Sequence, residues 1–167
     1  MWTPDVSEAR LRLLASDGAL WAVLDACDAP EIPTRVRMLG PEKGDCLWKG
    51  EAREKYWGVA PWLARVDLAL LDWIRSELWD EPWGLFVEAR TTIDVLRKHF
   101  RGIQTVEGPD GKRMYFRFYD PRVLPMFLRT AAPAERAELF GPVKTFWGVL
   151  GDPGAREVVE YRREGGP

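Results

Sequence analysis

Apolar residues follow two rhythms along the chain. Residues 19–26 (Ala-Leu-Trp-Ala-Val-Leu-Asp-Ala) are almost continuously apolar over the length of a strand, the pattern of an inner strand covered on both faces. Residues 84–88 (Gly-Leu-Phe-Val-Glu) repeat that pattern, and residues 61–66 and 46–49 read as shorter strands, the second ending at Gly50. Helical periodicity fills much of the space between. Residues 6–15 place Val6, Ala9, Leu13 and Leu14 on one face, with a stop at Ser16-Asp17-Gly18. Residues 68–79 carry Leu71, Ile74 and Leu78 on a broad apolar face, and Asp67 stands where it can cap. Thr91 and Thr92 open a helix through Phe100, with Asp94 in its first turn and Ile93, Leu96 and Phe100 inward. Residues 30–41 contain three prolines, which leaves room only for a short helical turn at 34–39. The polar residues 51–56 read as a loop.

The last third continues the alternation. Residues 103–106 and 113–119 flank the turn Gly108-Pro109-Asp110-Gly111 and predict a hairpin. In it Arg113, Tyr115 and Arg117 share one face, and Met114, Phe116 and Phe118 the other. Asp120-Pro121 is a helix start, with Val123, Leu124, Phe127 and Leu128 inward. A helix over 133–140 is stopped by Gly141-Pro142, and residues 145–150 and 157–162 predict a terminal hairpin around Gly151-Asp152-Pro153-Gly154. The fold class is therefore α/β: a single compact domain, a mixed β-sheet with packed helices and a C-terminal β-hairpin. Its parts are an N-terminal helix (1–18), a core (19–147) and a hairpin with tail (148–167).

Composition narrows the function classes. A chain of 167 residues fits one domain, and 46% hydrophobic with 30% charged residues is ordinary for a globular protein. The net charge of −2, with no basic block, argues against nucleic acid as a partner. No stretch approaches the ~20 apolar residues of a membrane span, and residues 1–5 do not resemble a signal peptide, so no membrane partner and a cytoplasmic location are expected. Cys27 and Cys46 could form one disulfide, but a buried free thiol is the better expectation for Cys27. The unusual quantity is nine tryptophans. Roughly two-thirds of them are expected in the core, from the burial habit of large aromatics. The remainder would be anchors for another protein.

Catalytic chemistry is hard to find. His99 is the sole histidine and has no recognisable nucleophile or carboxylate beside it, and with two distant cysteines it does not make a zinc site. There is no phosphate-binding glycine loop, no nucleophile elbow, and only Ser7, Ser16 and Ser76 as serines. No catalytic residue, metal site or cofactor is expected. Arg117 needs a carboxylate, which Asp120, Asp25 or Glu88 could supply, and a structural ion pair is the simpler reading. The enzyme alternative is a small hydrolase or phosphate-ester-binding enzyme using Arg117, Asp120 and His99 in one pocket. A small-ligand sensor would instead need a closed apolar pocket.

The segment Arg117-Phe118-Tyr119-Asp120-Pro121-Arg122-Val123-Leu124 resembles the signature of the type VI secretion effector adaptor or chaperone family, catalogued as a domain of unknown function, DUF4123. Other landmarks follow the family's order: residues 20–25, Leu47-Trp48-Lys49-Gly50, Ala60-Pro61-Trp62-Leu63, Trp83-Gly84, His99 and Phe140-Gly141-Pro142. The resemblance implies a non-catalytic cytosolic adaptor that binds a toxic effector and promotes its loading onto the valine–glycine repeat spike protein. It makes Arg117, Tyr119, Asp120, Pro121 and Arg122 a structural signature. Many relatives carry a long C-terminal extension that this chain is expected to lack. The grip is then expected at residues 48–62, on Trp48, Tyr56, Trp57 and Trp62.

Overall fold

Strand β1 (Leu20–Asp25) is buried along its whole length, and its side chains divide between two cores. Leu20, Ala22 and Leu24 enter one, Trp21 and Val23 the other. This is period-two alternation with both faces covered, which explains why the strand reads as a continuous apolar run. A computed structural model describes residues 4–164, so the expectations for Trp2 and for residues 1–3 and 165–167 lie outside the described residues.

β3 (Pro61–Arg65) and β4 (Gly84–Glu88) flank β1, with Val23 opposite Leu63 on one side and Leu85 on the other. Outside them lie β2 (Gly44–Cys46) and β7 (Thr145–Leu150), and β8 (Glu157–Arg162) pairs with β7. The sheet order is β2-β3-β1-β4-β7-β8, and every pairing is antiparallel. β5 (Thr105–Glu107) and β6 (Arg113–Tyr115) form a separate two-stranded ribbon.

Helices cover both faces, which bears out the α/β class and the packed helices. α1 (Pro4–Ser16), α2 (Ile32–Arg37) and α4 (Leu68–Glu77) build the first core with Trp62, Trp83, Phe86 and Trp147. α5 (Ile93–Ile103), α6 (Leu124–Thr130) and α7 (Pro133–Phe140) build the second around Phe118, Phe140 and Phe146. Each fully buried large apolar side chain contributes about 1.5–3 kcal/mol, so the two-sided burial of β1, β3 and β4 dominates the stability. The C-terminal hairpin is continuous with this sheet through the β4–β7 ladder.

Several boundaries differ from the periodicity. α1 buries Ser7, Leu11, Leu14 and Ala15 and leaves Val6 and Leu13 exposed: two stripes compete on this helix, and packing against α4 and β1 selects the one with the smaller residues. It ends as expected, with Gly18 at φ 71° and the amides of Gly18 and Ala19 returning to Ala15 and Leu14. α2 begins two residues before the expected turn, its N-terminal prolyl residue Pro33 fitting the first helical turn. β2 stops at Cys46, and residues 51–56, expected as a loop, lie in helix α3 (Gly50–Tyr56), which has no buried residue. Glu, Ala, Arg and Lys are strong helix formers, so their polarity marked exposure and not disorder. β6 stops at Tyr115, and α6 starts at Leu124 because the backbone carbonyl of Asp120 first takes the amides of Val123 and Leu124 in a turn. Both cysteines are free, and Cys27, expected inside, is exposed while Cys46 is buried.

Among the eight described tryptophans, Trp21, Trp62, Trp83 and Trp147 are fully inside, a smaller share than expected. Three of the others lie under arginine guanidinia: Trp57 under Arg37 at 4.6 Å, Trp73 under Arg35 at 5.4 Å and Trp79 under Arg75 at 4.4 Å. Trp48, half-buried, has no such cover among the described residues.

Gly84 opens β4 with φ 139°, and a Cβ there would collide with the carbonyl oxygen of Val23 in the neighbouring strand. Gly84→Ala is expected to cost about 3 kcal/mol or more in denaturant unfolding, from strain plus a backbone clash. Gly58→Ala, facing open space, should stay within about 0.5 kcal/mol of the parent.

Candidate functional site

The signature segment is fastened by charge. After β6 the chain leaves the ribbon, the amide of Phe116 donating to the carbonyl of Gln104 at 2.7 Å, and Arg117 reaches back to the carboxylate of Asp25 at the end of β1. Of the three carboxylates that could have served, the partner is Asp25. Asp25 is only 8% exposed, and its other oxygen accepts the amide of Cys27 at 3.0 Å. Asp120 takes a two-pronged grip from Arg122 (Nε–Oδ1 2.9 Å, Nη2–Oδ2 2.8 Å) and the Arg122 amide at 2.9 Å. Burial pushes the Asp120 carboxyl upward, but these bonds outweigh it and hold its pKa below the ordinary carboxylate value. Phe118 stacks on Phe100 with centroids 5.2 Å apart, and Pro121 is buried.

A chain of contacts runs from this segment to the surface. The Arg117 guanidinium lies 5.8 Å from the Tyr119 ring, the Tyr119 hydroxyl is 3.4 Å from that of Tyr115, and Trp48 Nε1 donates to Tyr115 at 2.8 Å. Burial raises both phenol pKa values, so both hydroxyls stay protonated and either can donate to the other. Trp48 and Tyr115 meet edge to face at 6.2 Å.

Beside Trp48 opens a groove of about 390 Å³ between α3 and the end of α5. Tyr56, 57% exposed, and Ala52 form one wall, Arg101 and Gln104 the other. Gln104 is 7% exposed, and its Nε2 has no hydrogen-bond partner. A buried amide donor without a partner among the described residues is costly. The floor is held by Asp45, which gathers Arg53 at 3.0 Å, Arg97 at 2.5 Å and Arg101 at 3.8 Å. Arg101 also donates to the carbonyls of Leu47 (3.0 Å) and Cys46 (2.9 Å), pinning the Trp48 turn to α5.

Of the four surface residues expected to grip a partner, Trp48 and Tyr56 line this groove. Trp57 is 39% exposed but turned under Arg37. Trp62 offers no surface: it is 1% exposed, sits in the first core and donates Nε1 to the Trp57 carbonyl at 3.0 Å. Its position on a strand between two covered faces is the physical reason. Tyr115 and Gln104 were not singled out from the sequence; only the expected face of the β6 strand hinted at Tyr115. The three residues of the enzyme alternative are held by separate partners. His99 faces the Leu139 carbonyl (Nε2 2.8 Å) beneath Gly141, while Arg117 and Asp120 are bound to Asp25 and Arg122.

A family model described as a domain of unknown function, DUF4123, matches residues 20–138. The chain belongs to this family. The DUF4123 match begins at the first residue of β1 and ends within α7, so it takes in the signature, the Trp48 turn and both walls of the groove. The fold continues past it, with α1 before and β7 and β8 after. No curated protein and no solved structure matches the chain. Among the described residues no helix is long and apolar enough to cross a membrane.

Two measurements follow from this geometry. Arg117→Met, which keeps the stem and removes the charge, is expected to cost about 1–3 kcal/mol in urea unfolding, because Asp25 is left buried with one partner fewer and Arg117 itself is part-exposed. Burial lowers the His99 pKa from its ordinary 6.5, with the Leu139 bond opposing. The unfolded chain then binds the proton more readily, so His99 subtracts stability as pH falls through about 6.5. The single histidine NMR signal should titrate below 6.5.

Proposed function

We propose that this DUF4123 protein is a non-catalytic cytoplasmic adaptor that grips a type VI secretion effector and promotes its loading onto the valine–glycine repeat spike protein. The observation that carries the protein-binding part is the groove beside Trp48. It combines the half-buried indole of Trp48, an exposed phenol at Tyr56 and an amide at Gln104 that is buried and unpartnered among the described residues. Aromatic anchors around a small polar point are the composition of interface hot spots, and Trp and Tyr carry much of the binding energy there. Tyr115, 47% exposed, completes the aromatic lining of the groove.

The secretion context rests on the family resemblance of residues 117–124 and the ordered landmarks. The polar contacts from Asp25 through Arg117, Tyr119 and Tyr115 to Trp48 give that resemblance a physical role in this reading. The signature sets the height and tilt of the aromatic platform, while the platform meets the partner.

The experiment is co-purification of the full chain with a type VI secretion effector and a valine–glycine repeat spike protein from the same genome. Tyr56→Ala and Trp48→Ala are expected to stay folded and to lower effector capture about tenfold each, the size of an interface anchor lost. Trp57→Ala should have the smaller effect, since its ring is turned under Arg37. Capture unchanged by both of the first two substitutions would remove this groove from the interface.

A further inference from the structure

We propose that the open edge of β8, with the arginine-lined groove beside it, receives an extended acidic segment of another protein as a seventh strand. β8 closes the sheet on one side, and among the described residues no strand lies beyond it. Its ladder with β7 is unbroken from Leu150 opposite Glu157 to Thr145 opposite Arg162, with no proline in the strand. Edges of that length are normally blunted by proline, a bulge or a covering element. Here the edge runs over six residues, about 20 Å of strand at ~3.3 Å each, with the carbonyl of its last residue, Arg162, taken by Arg136 and the alternate positions before it facing outward for main-chain hydrogen bonds.

The space next to this edge is shaped for an occupant. A groove of about 660 Å³ lies between β8 and α6, with Met126, Leu128, Val159 and Tyr161 as its apolar lining. Met126 is 60% exposed, while Leu124 and Leu128 of the same helix are buried. The hydroxyl of Tyr161 is buried without a hydrogen-bond partner.

Charge decides the chemistry of the occupant. Arg122, Arg129, Arg136 and Arg162 line the groove against Glu160 and Glu164. Arg122 and Arg162 are paired with Asp120 and Glu160, and Arg136 holds the carbonyl of Arg162 at 2.9 Å. Arg129 makes no ion pair among the described residues and faces the groove from α6. A strand that places carboxylates beside these guanidinia gains charge-assisted hydrogen bonds on top of the ladder.

The location is separate from the Trp48 groove. The sheet order puts β2 and β8 at opposite edges, five strand spacings of about 4.8 Å apart, or roughly 24 Å. Two partners can therefore be held at once. This inference does not depend on the identity of the partner at the Trp48 groove.

The probe is a fluorescein-labelled eight-residue peptide of alternating valine and glutamate, tested against the full chain by fluorescence polarisation and amide hydrogen exchange. Two analogues accompany it, one with lysine for glutamate and one N-methylated at alternate amides. The glutamate peptide is expected to bind at least about tenfold more tightly than either analogue, to protect the β8 amides, and to lose about tenfold in affinity with Arg129→Glu. Equal binding of the glutamate and lysine peptides, no binding of any of them, or protection confined to other strands would overturn the proposal. So would a concentration-dependent dimer in sedimentation whose β8 amides are protected without peptide, since the edge would then belong to a second copy.

Discussion

One buried carboxylate sets where the distant parts of this chain meet. Asp25 ends the central strand, and its backbone amide donates to the Trp83 carbonyl at 2.7 Å, which fixes the entry to β4. Its side chain holds Cys27 on one oxygen and Arg117 on the other. A charge this buried is tolerable only when paired and hydrogen-bonded, so the segment that carries Arg117 must lie across the end of the sheet. Once it does, Phe118 is delivered onto Phe100 and Asp120 onto Arg122. The turn at Asp120 then aims α6 along the second core, and α6 in turn makes a wall facing β8. The pair thus determines geometry at both edges of the sheet, through Tyr119 and Tyr115 on one side and α6 on the other.

The core was the most legible part of the sequence. β1 and β4 are short, continuous apolar runs buried on both faces, and such runs have few alternatives in a chain of this size. The caps of α4 and α5 were also readable, since Asp67 and Thr92 accept the amides of Leu70 and Val95 as their positions suggest. What failed was local polarity used as a guide to backbone state. Residues 50–56 are helical because their side chains favour it, with Lys55 and Glu51 paired one turn apart, although they bury nothing. The face of α1 was ambiguous for a different reason: two stripes of similar hydrophobicity exist, and only the sheet beneath chooses between them.

The candidate site was half visible for reasons that also concern packing. Trp48 and Trp62 are the same residue type, fourteen positions apart, in equally aromatic surroundings. One is on a turn beyond a strand end and the other inside a strand with both faces covered, and composition cannot separate these states. Gln104 was invisible because an unpartnered amide is a property of three-dimensional neighbours. Arg117 was flagged correctly as needing a carboxylate, yet three carboxylates competed, and the antiparallel order of the sheet decided for Asp25.

The distribution of satisfied and unsatisfied groups bears on what kind of work this fold can do. Catalysis at a side chain needs a group with bonding capacity left for a substrate and a neighbour to tune it. Arg117, Asp120 and His99 are held by Asp25, Arg122 and the Leu139 carbonyl, in three separate attachments. The capacity that remains lies elsewhere: the Gln104 amide and the Tyr56 ring at the β2 edge, and the Arg129 guanidinium, the Met126 side chain and the strand backbone at the β8 edge. Under the two proposals above, these groups would meet another chain by shape, main-chain pairing and charge, and β2 and β8 stand at opposite edges of one sheet. In the adaptor function proposed above, the two edges would serve one partner each, with the Asp25–Arg117 pair between them tying both to the same sheet.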